Sequence, residues 1–251
     1  MTRIISIASG KGGVGKTTIS INLATSLAMN FNKNVIVMDC NITTSHLSLY
    51  LGSYYHPVTL NQVLKGEAKM MDAVYEHMEN FKIIPASLSV RDLIGVDIGL
   101  LKEKIKELYG KADFVILDSA PGLGREANAV LHASDEVLFV TSPFISSVAD
   151  ILRCKEILGD TSTSPIGVIL NMSTRGNELS KEEIEDMTGL PVIESIPMDK
   201  NIPKSLKAKE PVVVNNPRSK SSRSFNNLAA KICGEEDRVK HSLVDRIRNL
   251  F

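Results

Sequence analysis

Nine consecutive residues, Gly10-Lys11-Gly12-Gly13-Val14-Gly15-Lys16-Thr17-Thr18, bring glycines, two ammonium groups and two hydroxyls together at a spacing suited to phosphate chemistry. Gly10, Gly12, Gly13 and Gly15 let the backbone turn tightly and set its N–H groups against phosphate oxygens, where side chains would clash. Lys16 is placed to reach β- and γ-phosphates, and the Thr17 hydroxyl to ligate Mg²⁺. Two carboxylates, Asp39 and Asp118, each close a short apolar run, Val35-Ile36-Val37-Met38 and Phe114-Val115-Ile116-Leu117. A carboxylate at the end of a parallel strand lies at the ligand-binding edge of a sheet, so both are candidate metal-shell residues. The chemistry expected is binding of a nucleoside triphosphate with Mg²⁺. Lys11 is one cation more than a single nucleotide needs.

Elements must position these groups. The apolar run Ile4-Ile5-Ser6-Ile7-Ala8 precedes the loop and helical spacing follows it, giving strand, glycine loop and helix in the order that phosphate binding requires. The helix is expected over about 16–30. Further strands are expected at 35–38, 81–86, 114–117, 136–141, 166–171 and 191–197, with helical segments between them near 59–64, 70–75, 97–109, 146–158, 200–209 and 218–233. Short buried strands alternating with helices predict an α/β fold, a mostly parallel sheet with helices on both faces. The glycines of Ser119-Ala120-Pro121-Gly122-Leu123-Gly124 would let a loop reshape around a γ-phosphate, with Gly122 as its pivot. His46 reads as a polar residue on a helix surface.

At 251 residues with 43% apolar side chains, the chain can bury a substantial core, and no linker-like stretch divides it. We expect one domain over 1–234 and a C-terminal segment over 235–251. Lys plus Arg and Asp plus Glu balance at 29 each, so charge gives no general argument for nucleic acid. Cys40, Cys154 and Cys233 form no C-x-x-C pair, which fits a reducing cytoplasm and supplies no zinc or iron–sulfur ligand pattern. No run approaches the length of a membrane span. The expected location is cytoplasmic.

The loop Lys11-Gly12-Gly13-Val14-Gly15-Lys16-Thr17-Thr18 resembles that of the deviant Walker A ATPases of the MinD/ParA group, and four further segments follow in that family's order. Asp39-Cys40-Asn41 through Leu51-Gly52 resembles switch I, Asp118-Ser119-Ala120-Pro121-Gly122 a Walker B strand and switch II, Thr141 to Asp150 a MinD segment, and Asn171 with Pro197-Met198-Asp199 the adenine contacts. The resemblance covers about 1–233 and implies a P-loop NTPase fold of the SIMIBI-like class, with ATP and Mg²⁺ as cofactors. It implies that Lys11 reaches across a homodimer to the partner's phosphates; a solvated lysine is the alternative. It implies metal-shell roles for Thr17, Asp39 and Asp118, and base recognition by Asn171, for which helix capping is the alternative. Asn41 stands where the family has an aspartate that helps to position the attacking water. Asparagine can orient a water but cannot take a proton, so slow turnover is expected.

In the last segment Val239, Leu243, Val244, Ile247, Leu250 and Phe251 share one helical face, an arc of about 140°, with arginines at its border. Such a face suits an interfacial membrane helix or a helix docked on its own domain, and the resemblance favours the membrane. The function expected is a MinD-like ATPase switch, with ATP-driven homodimerisation, peripheral membrane attachment and an unidentified activating or cargo protein. The alternatives are a ParA-like DNA-partition ATPase, using Lys200, Lys204, Lys207, Lys209, Arg218, Lys220 and Arg223, and an ATP-locked scaffold with little turnover. A metal-cluster carrier of the same superfamily would call for the C-x-x-C that is missing.

Overall fold

The computed structural model describes residues 1–159, 161–174 and 179–235. Eight strands form one sheet: β1 (Arg3–Ala8), β2 (Val35–Asp39), β3 (Tyr75–Met78), β4 (Phe81–Ile84), β5 (Phe114–Asp118), β6 (Glu136–Thr141), β7 (Ser164–Ser173) and β8 (Val192–Pro197). Their order is β3-β4-β2-β5-β1-β6-β7-β8. Every pairing is parallel except β3 with β4.

Alternate residues of the central strands serve two cores, which is why these strands read as unbroken apolar runs rather than as an alternation with polar residues. Ile5, Ile7, Val35, Val37, Ile116 and Leu138 face the helices Lys16–Phe31 and Lys220–Cys233, meeting Leu23, Leu27, Phe225 and Leu228. Ile4, Ile36, Met38, Val115 and Leu117 face Leu60, Val63, Leu101, Ile105 and Val130. Val137, Phe139, Val168 and Leu170 pack on Val148, Ile151 and Cys154 of the helix Ile145–Leu158. Each fully buried aliphatic or aromatic side chain contributes ~1.5–3 kcal/mol relative to exposure.

The helix Lys16–Phe31 is wedged between the sheet and the helix Lys220–Cys233, so polar residues such as Asn22, Thr25 and Ser26 are buried as well. They are satisfied locally: Thr25 Oγ1 donates to Ile21 O at 2.8 Å, Asn22 Nδ2 to Thr18 O at 2.8 Å, and Ser26 Oγ to Asn226 Oδ1 at 2.9 Å. The element that carries the loop lysine is therefore rigidly seated.

Two expectations are corrected. Tyr75 does not continue a helix from Met70; the helical turn ends at Ala73 and Tyr75 opens β3, an antiparallel edge strand. The segment expected as one helix over 97–109 is broken into a 3₁₀ turn Ile98–Leu100, an α turn Leu101–Lys104 and a second 3₁₀ turn Ile105–Leu108. Its apolar residues Leu101, Ile105 and Leu108 still reach the core, so packing set the spacing while local geometry tightened the ends. The candidate membrane residues Val239, Leu243, Val244, Ile247, Leu250 and Phe251 lie outside the described residues. Among the described residues no helix is long and apolar enough to cross a membrane.

Candidate functional site

β1 delivers the chain into the glycine loop at the carboxyl edge of the sheet, and the helix Lys16–Phe31 carries it away. Gly15 caps that helix at φ +95°, in the left-handed region, with no side chain capping it. Among the described residues the N–H groups of Gly12, Gly13 and Gly15 donate no hydrogen bond. Uncommitted N–H groups at a helix N-terminus are what a phosphate group needs. The loop has no room for side chains at two places. A Cβ on Gly10 would stand 2.4 Å from Asp150 Cβ, and one on Gly15 2.3 Å from Asn171 Nδ2.

Above the loop lies a cavity of about 680 Å³. Gly12, Gly13, Gly15, Lys16, Thr17 and Thr18 line it together with Asn171, Pro197, Met198 and Asp199, and with Asn41 and Ser119. The structure thus brings the phosphate and base candidates to one cavity, from segments separated by up to 187 residues (12 to 199). Gly10, Lys11, Val14, Asp39, Asp118 and Gly122 do not line it. Asn171 Nδ2 donates to Val14 O at 2.7 Å, so this amide also clamps the loop to β7. The Asp199 carboxylate accepts from Asn201 N and Nδ2 and from Ser221 N and Oγ, at 2.8–3.2 Å. Burial alone would raise its pKa, but these bonds hold it below the usual carboxylate value.

The two lysines of the loop differ sharply. Lys16 is 8% exposed and its Nζ donates to Ser9 Oγ at 2.9 Å. Burial lowers its pKa, while the charge of Asp118 works in the other direction. Lys11 is exposed, and its ammonium has no hydrogen-bond or ion-pair partner among the described residues.

Asp39 and Asp118 end adjacent strands and are register partners. Asp39 is fully buried and accepts from Asn41 N at 3.1 Å, Ser45 Oγ at 2.7 Å and Leu47 N at 3.2 Å. Asp118 accepts from Ser20 Oγ at 3.3 Å, and the nearby Thr17 hydroxyl works to lower its pKa. Burial, and secondly the charge of Asp39, push Asp118 up to about 7, and burial raises Asp39 as well. A buried pair of carboxylates beside a lysine and a threonine hydroxyl is an oxygen-rich, anionic donor set suited to Mg²⁺ through waters.

This pair fixes a pH dependence. A carboxyl whose native pKa is raised binds its proton more tightly folded than unfolded, so its contribution to stability falls as pH rises from about 4 to about 7. Without Mg²⁺ the melting temperature should therefore decline between pH 5 and pH 8, and Asp118→Asn should flatten that decline in a thermal melt series. A wild-type profile as flat as the variant's would refute it.

Sequence reasoning missed Ser9, at the junction of strand and loop. Its hydroxyl donates to Lys11 O at 2.7 Å and accepts from Lys16, and its carbonyl accepts from Gly122 N at 3.2 Å. One residue thus joins the glycine loop to the Gly122 loop; a hydroxyl directly after an apolar run was the available signal. Asn41 closes a turn: its Nδ2 donates to Thr44 O at 2.8 Å and its Oδ1 accepts from Thr44 Oγ1 at 3.0 Å. His46 is exposed and stacks on Tyr50 at 6.0 Å.

Comparison with known proteins agrees with this geometry. A family model described as ParA: NUBPL iron-transfer P-loop NTPase matches residues 1–233. An uncharacterized ATP-binding protein of Methanocaldococcus jannaschii is 36% identical, over 100% of this chain and 97% of that protein. The septum site-determining protein MinD of Thermotoga maritima is 31% identical, over 100% of this chain and 98% of its own length. Among solved structures, MinD of Pyrococcus horikoshii complexed with Mg-ADP superposes with a TM-score of 0.88 at 36% identity, covering 92% of this chain and 96% of that one. With a glycine loop, a buried lysine and a carboxylate pair at one sheet edge, the chain belongs to the ParA/MinD family of P-loop NTPases and binds ATP with Mg²⁺.

Proposed function

We propose that this protein is an ATP-driven dimerising switch of the MinD type, which attaches to a membrane surface through residues 237–251 and serves spatial regulation such as placement of a division site. The observation that carries the reading is the contrast between Lys16, buried and hydrogen-bonded to Ser9, and Lys11, exposed and without a partner among the described residues. A lysine held on the rim of its own loop is available to the phosphates of a second copy facing it. Two copies would then share two nucleotides, and dimerisation would report the γ-phosphate.

Bound Mg-ATP supplies the phosphoanhydride to be broken and a divalent charge that neutralises the leaving oxygens. The chain's own groups do the rest. The N–H groups of Gly12, Gly13 and Gly15 orient the phosphates, Lys16 offsets their charge, and Thr17, Asp39 and Asp118 hold the metal and its waters. Asn171 and the loop Pro197-Met198-Asp199 hold the base, and Asn41 orients a water without accepting its proton. Hydrolysis by positioning alone is slow, which suits a switch whose bound state must persist until a partner acts.

The tail explains why dimerisation matters. One short apolar face binds a bilayer weakly after the ordering of its helix is subtracted, whereas two faces on one dimer gain by effective concentration. The test is sedimentation of the full chain with and without anionic liposomes, each with ATP and with ADP. ATP should produce dimers and liposome binding and ADP neither. Lys11→Ala should keep its ATP affinity within about threefold, because Lys16 and the loop amides remain, yet lose both dimer and liposome binding. A Lys11→Ala protein that dimerises with ATP like the wild type would end this reading, and liposome binding that survives deletion of 237–251 would end the role of the tail. A salt-sensitive, ATP-dependent shift of DNA would favour the partition alternative.

A further inference from the structure

The segment after β2 is pinned almost wholly to its own surroundings. Asn41 N and Ser45 Oγ donate to Asp39, and Thr44 is held by Asn41. Thr43 is the exception. Its hydroxyl donates across 83 positions to Glu126 Oε1, on the first turn of the helix Arg125–Ala133 that follows the Gly122 loop. The two loops expected to sense the γ-phosphate are thus tied by one side-chain hydrogen bond.

We propose that Glu126 is a positioning residue of the hydrolysis step, which latches the 41–44 turn to the helix after Gly122 through the Thr43 hydroxyl. The proposal rests on the reading of this protein as an ATP hydrolase. The other carboxylates near the loop are committed elsewhere. Asp39 and Asp118 are buried at the strand ends, Asp199 accepts four hydrogen bonds, and Asp150 pairs with Arg153 at 3.0 Å. Glu126, in the first turn of its helix, has no ion-pair partner among the described residues, and the contact the structure gives its carboxylate is the one it accepts from Thr43.

The physical need for a latch follows from Asn41. A residue that can only orient a water depends on being held to within about half an ångström of the productive geometry. Thr43 and Thr44 are exposed, and a four-residue turn at the surface does not hold that tolerance unaided. Anchoring Thr43 to a helix restrains the turn from its far side. It also couples the loops, so that neither rearranges around a nucleotide without the other.

The test uses the full chain with Thr43→Val, Glu126→Ala, the double variant and Glu126→Gln. Three measurements are made on each: ATP affinity by fluorescence titration, single-turnover hydrolysis at saturating Mg-ATP, and amide hydrogen exchange over 41–45. Thr43→Val and Glu126→Ala should each slow hydrolysis by roughly five- to twentyfold with ATP affinity unchanged within about twofold, and should speed exchange at 41–45. The double variant should be no slower than the slower single one, because both remove the same bond. Glu126→Gln should stay within about threefold of the wild type, since an amide oxygen accepts the same hydrogen bond. Wild-type rates in Glu126→Ala, or additive losses in the double variant, would overturn the latch. A Glu126→Gln protein as slow as Glu126→Ala would also overturn it, because proton transfer rather than positioning would then be at stake. A wild type that hydrolyses no ATP defeats the hydrolase reading itself. The latch is then decided by exchange, and unchanged protection at 41–45 in Glu126→Ala overturns it.

Discussion

Lys16→Ala is expected to raise the dissociation constant for Mg-ATP by about thirtyfold or more while leaving the protein folded. Lys16 is 8% exposed, its ammonium is fixed by Ser9 Oγ at 2.9 Å, and it lines the cavity with the glycine loop. Its burial has already been met in the folded protein, and its pKa is lowered accordingly, so a phosphate gains a cation that needs no further desolvation. Removing one partner of such a buried, charge-assisted contact costs about 2–5 kcal/mol, and each 1.4 kcal/mol is tenfold in affinity. The fold should survive because the surrounding helix is held by Leu23, Leu27 and the helix Lys220–Cys233, none of which depends on the ammonium. Isothermal titration with circular dichroism on the same sample decides it. A folded variant whose dissociation constant rises less than tenfold would remove Lys16 from the phosphate site.

Gly15→Ala carries the second large effect, and here both stability and binding fall. The position has φ +95°, which a side chain disfavours by about 1–2 kcal/mol. The added Cβ would also stand 2.3 Å from Asn171 Nδ2, the atom that donates to Val14 O at 2.7 Å. Either Asn171 moves and the clamp between loop and β7 is lost, or the loop moves and its N–H groups lose their alignment. We expect a total cost of about 2–4 kcal/mol, a melting temperature lower by roughly 5–12 °C, and no measurable ATP binding. Gly13→Ala is the comparison. Gly13 has φ +77° but nothing within 4 Å of its Cβ position, so only the backbone term of about 1–2 kcal/mol applies. Equal losses in the two variants would mean that the contact with Asn171 is not what requires glycine at 15.

Much of this site is legible in the sequence because its determinants are local. The glycine loop works through backbone conformation and N–H direction over nine residues, and its flanking strand and helix are written in adjacent apolar spacing. Asp39 and Asp118 could be placed at the ends of buried strands because a buried parallel strand is a compact apolar run and the residue that ends it sits at the sheet's carboxyl edge. β3 was missed for the converse reason. Tyr75-Glu76-His77-Met78 is a half-buried edge strand without an apolar run, and pairing with β4 is what makes it a strand. The continuous helix expected over 97–109 had the right apolar spacing, but spacing alone does not distinguish an α-helix from turns packed in series.

By itself, then, the sequence determined the glycine loop, the place of every strand but β3, the second lysine and the absence of a proton-accepting group at position 41. The tertiary structure decided which of these groups meet. It seated Lys16 on Ser9 and left Lys11 outside, and it set two buried carboxylates side by side so that Asp118 is pushed up to about 7. It turned Asn171 onto the loop 157 positions away and joined Thr43 to Glu126 across 83. The division has one cause. Backbone conformation and periodicity act over a few residues and leave their mark in adjacent letters, whereas burial, charge coupling and side-chain hydrogen bonds between distant segments exist only once the sheet has fixed its strand order.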